Sequence, residues 1–238
     1  MLFLHKLRMI NQNIKIAVDA IVFGYEKGTL YVLAVQQRFG ELADRWVLPG
    51  GFIKDDEPLL TAVERELKEE AGITVNYLEQ LGTFGDDVNR DERFRVISVA
   101  YFALVNPQNF VLKADTDAKD ARWFPVREVP QLGYDHNEMV NLAHQRLKSK
   151  LTYQPIGFDL LDQEFLFSDL ENLYCSILER DIDRRNFRKK ILSFEIVKET
   201  NKVVKIGASG RPGKLFMFDK PKYQQLLKEN FQFEIRFA

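Results

Sequence analysis

Glu66, Glu69 and Glu70 stand at i, i+3 and i+4, a spacing that puts three carboxylates on one face of a helix. Like charges so placed repel, so the cluster is unfavourable unless something neutralises it. Hard divalent cations bound by carboxylate oxygens do this, and Mg²⁺ keeps waters and bridges to substrate phosphates. Such a cation polarises a phosphoryl oxygen and lowers the pKa of a bound water, while a neighbouring carboxylate acts as base. The chemistry implied is attack of water on a diphosphate. Arg65 flanks the cluster and could orient the carboxylates by bidentate pairing.

The helix that carries these residues is expected from about Pro58 to Ala71, with Gly72 placed to cap its C-terminus. Leu60, Val63, Leu67 and Ala71 form an adjacent apolar stripe that can anchor it in a core. Upstream, residues 14–23 and 30–35 are β-rich runs separated by the hairpin signal GYEKG. Residues 46–48 lead into the sharp turn Pro49-Gly50-Gly51. Downstream, residues 78–84, 94–105 and 121–124 read as strands, and Asp135 caps a helix to about residue 147.

After SKLTYQPIGFD the pattern changes. Ser168-Asp169-Leu170-Glu171 reads as a capping box opening a helix to about residue 178, and Asp183 caps a second to about 192. Two β-prone stretches, 196–206 and 214–218, follow, joined by GASGRPG. Helix, turn, basic helix and hairpin is the order of a winged helix-turn-helix. The boundary falls between about 148 and 160, giving domains of 1–150 and 151–238.

Composition bounds the reading. The chain has 238 residues, 45% hydrophobic and 29% charged, the mix of a globular protein with a sizeable core. No stretch approaches the ~18 uninterrupted apolar residues of a membrane span. His5, Lys6 and Arg8 break the apolar opening, and Cys175 is the single cysteine, so a cytoplasmic location without an internal disulfide is expected. The 34 basic and 35 acidic residues nearly cancel, but residues 180–214 hold 11 basic against 4 acidic. A local positive field of that size suits a polyanion such as DNA.

Here the residues resemble a family. Gly51, Glu57, Arg65-Glu66-Leu67, Glu69-Glu70 and Gly72-Ile73 match every defined position of the Nudix box. The resemblance implies an α+β chain that begins with a mixed sheet sandwiched between helices. It makes Glu66, Glu69, Glu70 and the Gly51 carbonyl ligands to Mg²⁺, or to Mn²⁺ in its place. Catalysis would then fall to Glu70 as base, with Glu66 and Arg65. Arg38 with Trp46 to Phe52, the TFGDD and NRDERFRVISVAYFALV segments, Trp123-Phe124-Pro125 and Gly133-Tyr134-Asp135-His136 are similar to Nudix proteins that handle ADP-ribose. Arg38, Arg93 and Arg95 could pair with a diphosphate, Phe84 or Tyr101 could pack against a ribose or base, and His136 is a further ligand candidate.

With its second domain the chain looks like the Nudix-related transcriptional regulators, which join an ADP-ribose-sensing Nudix domain to a smaller winged helix. Residues 183–190, DRRNFRKK, match that family's recognition helix, and Gly210-Arg211-Pro212 match its wing. Arg184, Arg185, Arg188 and Lys189 could reach phosphates or guanine edges of double-stranded DNA, and Asn186 could read adenine if it faces the groove. Phe187 and Ile191 would be the buried side, and Arg211 and Lys214 would contact the backbone from the wing. A homodimer is expected from two-fold operator geometry. GASGRPGK is not a phosphate-binding loop, because Ala208 and Leu215 stand where glycine and Ser or Thr are required. Many family members have a degraded box, whereas this one is complete. Two readings therefore stand: a regulator that retains hydrolysis, or chiefly an ADP-ribose diphosphatase whose second domain does not regulate transcription.

Overall fold

Ile14–Glu26 (β1) and Thr29–Gln37 (β2) form an antiparallel hairpin in which Glu26 faces Thr29. Its two turn residues, Lys27 and Gly28, both have positive φ, 47° and 85°. That mirror-image turn matches the right-handed twist of the flanking strands. The structure is a computed structural model and describes residues 12–113, 118–205 and 212–235.

β1 is the centre of a seven-stranded mixed sheet. It runs antiparallel to β2 and to Gly50–Phe52 (β4), and parallel to Arg95–Val105 (β6). Trp46–Val47 (β3) and Ala118–Pro125 (β7) pair with β2, and Leu78–Phe84 (β5) pairs with β6. Side-chain alternation along β1 divides the core in two. Val18, Ala20 and Val22 pack with Val63, Leu67 and Ala71 of Leu59–Ala71 (α1). Ile21 and Phe23 pack with Met139, Ala143 and Leu147 of His136–Lys150 (α2) on the other face. The sheet is thus sandwiched between helices.

Two local expectations are corrected here. Leu60 is 49% exposed while Ala62 is buried, because the buried arc of α1 is centred nearer Glu66 and Glu70 than the apolar stripe implied. Asp135 precedes α2, but its side chain makes no capping bond; both its oxygens accept from Arg90, at 2.6 and 2.9 Å. Gly72 does close α1, at φ 70°.

The C-terminal part folds as Phe165–Leu166 (β8), Phe167–Leu178 (α3), Arg184–Ser193 (α4), Val197–Val204 (β9), Gly213–Phe218 (β10) and Lys220–Lys228 (α5). The strands pair in the order β8-β10-β9. Because β8 runs straight into α3, the helix starts earlier than the Ser168 capping box predicts. Asp169 accepts from the Leu166 N–H at 3.1 Å, and Glu171 faces Arg184 instead. Asp183 caps α4 as read, accepting from the Asn186 N–H at 3.0 Å. α5 carries no sequence signal noted above. No helix among the described residues is long and apolar enough to cross a membrane.

The apolar cluster on the α2 face continues through Leu151, Ile156 and Phe158 into Leu170, Leu173 and Ile177 of α3. Lys148 and Arg127 both pair with Glu179 across this junction, and the Ile235 N–H donates to the Thr152 carbonyl at 2.8 Å. His144 lies in the same seam, hydrogen-bonded with the Ile177 backbone, while its buried Nε2 has no partner among the described residues. Burial, and then Lys148, hold its pKa below the ordinary value. A histidine lowered in the folded state binds its proton more readily when unfolded, so it stabilises the fold above about pH 6.5 and less as pH falls below that. The melting temperature is therefore expected to drop between pH 7 and 5, with a shallower drop in His144→Leu. Equal slopes would remove His144 from the acid sensitivity.

Candidate active site and nucleic-acid interface

The box turn is held from both sides. Gly50 pairs with Asp19 of β1, and a Cβ on Gly50 would lie 2.3 Å from the Val18 carbonyl oxygen and 2.5 Å from Asp19 Oδ1. From α1, Glu70 Oε2 accepts the Gly50 N–H at 2.9 Å. A Cβ on Gly51 would sit 2.3 Å from Glu66 Oε1, so the missing side chain is the space the carboxylate fills. The Leu48 N–H donates to His136 Nδ1 at 2.9 Å, which leaves the ring proton on Nε2, 3.5 Å from Asp19. Burial keeps His136 neutral, pushing its pKa down. Ser98 Oγ also donates to Asp19, and Arg90 reaches it at 3.7 Å.

Arg65 is the clamp of the acidic cluster. Its guanidinium binds Glu57 at 2.7 and 2.9 Å, Glu66 at 2.6 Å, Glu69 at 3.2 Å and the Phe52 carbonyl at 3.3 Å. Hydrogen bonding to Arg65 pulls Glu57 down to about 2, whereas burial raises the pKa of Glu66. The three box glutamates do not converge: among the described residues no group of three acidic, histidine or cysteine side chains is gathered to hold a metal ion. Arg65 draws Glu66 and Glu69 aside while Gly50 takes Glu70. The donor set nevertheless suits a hard divalent cation, being carboxylates and a carbonyl, and the Gly51 cradle brings Glu66 against the turn.

Gly50, Gly51, Glu66 and Glu70 edge a cleft of about 370 Å³, lined also by Phe39, Arg90, Asp91, Arg93, Tyr134 and His136. Of the six ligand candidates, Arg93 and His136 line it. Arg38 donates to the Ala118 carbonyl at 2.9 Å, and Arg95 to the Gly85 carbonyl at 2.7 Å; neither lines the cleft. Phe84 packs on the core beside α2, and Tyr101 is buried beside α1. Neither aromatic candidate lines the cleft: Tyr101 is buried and Phe84 half-buried against the core.

In the C-terminal part, α4 buries Phe187 and Ile191 at 4% and 0% exposure. Arg185 and Lys189 are exposed and make no side-chain hydrogen bond or ion pair among the described residues. Arg188 stacks its guanidinium over Phe167 and Phe216, at 4.3 and 5.2 Å. Arg184 binds Glu171 and Asn172 of α3, Asn186 donates its amide to Asp183, and Lys214 pairs with Glu199 across the hairpin. Arg211 lies outside the described residues.

A NUDIX domain model matches residues 14–145, and an NrtR DNA-binding winged helix domain model matches residues 157–218. The ADPR responsive transcriptional repressor NtrR of Acinetobacter baylyi is 30% identical over 210 residues, covering 87% of this chain and 82% of its own. The chain belongs to the Nudix-related transcriptional regulators. Shewanella oneidensis NrtR complexed with a 27mer DNA is similar across 94% of this chain and 99% of its own, with TM-score 0.75 and 27% identity. The NUDIX domain of that NrtR complexed with ADP ribose is 32% identical over 58% of this chain and 90% of its own, with TM-score 0.53.

Within this Nudix-related regulator, sequence reasoning missed Asp19, Phe39, Arg90 and Asp91 as cleft residues. For Arg90 and Asp91 a signal was present. NRDERFR mixes acids and arginines, and each arginine of the cleft is hydrogen-bonded to an acid: Arg93 to Asp91 at 2.8 and 3.0 Å, and Arg90 to Asp135.

Proposed function

We propose that this protein is a cytoplasmic transcriptional regulator that binds double-stranded DNA as a homodimer and takes ADP-ribose, or a related nucleoside diphosphate sugar, in its Nudix cleft. One observation carries the reading: α4 buries Phe187 and Ile191 and turns Arg185 and Lys189 outward, in a chain whose other half holds the acidic cleft. The DNA-bound and ADP ribose-bound relatives support the two halves.

In the cleft, Arg93 is the group best placed for the diphosphate. Of its five N–H donors, Nε and one Nη2 hydrogen go to Asp91 and the other Nη2 hydrogen to the Tyr134 hydroxyl at 3.0 Å. Among the described residues nothing takes the two Nη1 donors, which remain for a ligand. Arg90, fixed by Asp135, adds positive charge to the same wall. Glu66, Glu69, Glu70 and the Gly51 carbonyl would hold Mg²⁺, or Mn²⁺, which when bound polarises a phosphoryl oxygen. Glu70 is the proposed proton acceptor, and its bond to Gly50 orients it. Ligand alters DNA affinity only by preferring one arrangement of the chain. Fluorescence anisotropy of a labelled operator duplex is expected to show its Kd shifting about tenfold or more at saturating ADP-ribose. An unmoved Kd would overturn the sensor reading.

The complete box favours a second, compatible activity, cleavage of ADP-ribose to AMP and ribose 5-phosphate. A Glu70→Gln variant is expected to lose AMP release by about a hundredfold or more while still binding ADP-ribose. Unchanged turnover would take Glu70 out of the mechanism.

A further inference from the structure

α5 is followed by Asn230, whose φ of 60° turns the chain, and the Phe231 N–H donates back to the Leu226 carbonyl at 3.0 Å. The next residues alternate as an extended segment does: Phe233 and Ile235 are buried, Gln232 and Glu234 exposed. Two of its rings close on the residue that ends α4. Phe194 meets Phe231 edge on at 5.4 Å between centroids, and Phe233 at 4.9 Å. The far end of the segment leaves the C-terminal part, since the Ile235 N–H donates to the Thr152 carbonyl, in the turn after α2, at 2.8 Å. Along the way Glu234 and Ile235 face Asn186, Phe187 and Lys189 of α4 across a groove of about 590 Å³. α4 is therefore held at two points. Near its start Phe187 packs on Tyr174 of α3, centroids 4.7 Å apart. Phe194, about 10 Å further along the axis, is held by the segment that reaches Thr152. The first contact lies within the C-terminal part, and the second runs to the Nudix half. His136, the first residue of α2, lines the cleft. α2 has 15 residues, a rod of about 22 Å with the ligand cleft at one end and the anchor of the segment at the other.

We infer that residues 231–235 are a strap that ties α4 to α2, so that a shift of α2 at the cleft tilts α4 about its contact with α3. The inference rests on the proposed ADP-ribose-responsive regulator and names the element that couples its two sites. Its physical basis is that one ligand alters the affinity for another only through an element whose position both sites bias. Phe187 is the pivot, and Arg185 and Lys189 stand on opposite sides of it along α4. A tilt carries them in opposite directions, so both cannot keep their distances to phosphates of a rigid duplex.

The test is anisotropy titration of an operator duplex with the full chain, with and without saturating ADP-ribose, in chelator so that nothing turns over. In the parent the Kd is expected to shift about tenfold. In Phe233→Ala/Ile235→Ala the shift should fall to about twofold or less. Calorimetry should meanwhile give ADP-ribose a Kd within about threefold of the parent value, because neither side chain lines the cleft. The double variant removes two buried side chains, so Phe194→Leu is measured beside it. That change slackens the same contact from the α4 side with less volume lost, and it should cut the shift as well. A folded variant of either kind that keeps the tenfold shift overturns the strap. Loss of ADP-ribose binding in both variants also overturns it, since these residues would then support the cleft rather than transmit from it. A parent whose Kd does not move overturns the sensor reading, and the strap with it.

Discussion

Arg185→Ala/Lys189→Ala is expected to lower affinity for an operator duplex by about a hundredfold at low salt and to reduce the salt slope by about two. The two residues are four apart on α4 and so share a face, opposite the buried Phe187 and Ile191. Both are exposed and hold no internal partner among the described residues. Each phosphate they neutralise releases a counterion, so losing two contacts weakens binding and flattens its salt dependence together. The other candidates of this helix should behave differently. Arg184 is tied to Glu171 and Asn172, so Arg184→Ala should cost stability more than DNA affinity. Arg188 stacks on Phe167 and Phe216 and should show both effects. A double variant with parental affinity and parental slope would show that α4 is not the helix that meets DNA.

Why those arginines part company is a lesson in what a sequence holds. Helical period places Phe187 and Ile191 inward without any knowledge of the partner. It cannot say that Arg184 meets Glu171 of α3, because the turn that brings the helices together is set by tertiary packing. The cleft repeats the pattern. Strand alternation, the Lys27-Gly28 hairpin and the Gly72 cap were local signals, and the mixed sheet between helices was what the resemblance of the box implied. The fate of the glutamates was not local. Residues 66, 69 and 70 share a helix face, yet Arg65 and the Gly50 N–H draw their carboxylates apart. Of the arginines expected near a diphosphate, Arg38 and Arg95 serve backbone carbonyls and Arg93 lines the cleft, while Arg90, which was not among them, reaches the cleft wall through a partner 45 residues away. His136 stands where the resemblance put it, but with both ring nitrogens facing its own chain.

Three glycines are expected to give three separable results when replaced by alanine. Gly50→Ala should be the most damaging, because its Cβ would meet the Val18 carbonyl oxygen at 2.3 Å and Asp19 Cα at 3.0 Å. Both belong to the backbone of β1, which is pinned to β6 along its length and cannot yield. The turn must move instead, and with it the Glu70 bond and the Leu48–His136 contact. Strain of this kind reaches about 3 kcal/mol, a fall in melting temperature of roughly 6–12 °C for a chain of this size, and the cleft should lose its ligand as well. The three atoms nearest a Cβ on Gly51 all belong to the carboxylate of Glu66, at 2.3 to 3.1 Å. A side-chain end can swing away, so stability should change by about 1 kcal/mol or less, while displacing the glutamate should abolish the proposed AMP release. Gly82→Ala, with nothing within 4 Å, should leave both unaltered. Thermal melts and AMP release on the three variants distinguish a turn wedged against β1 from one that is merely close to it, since a Gly50→Ala protein melting with Gly82→Ala would mean that β1 does not hold the box in place.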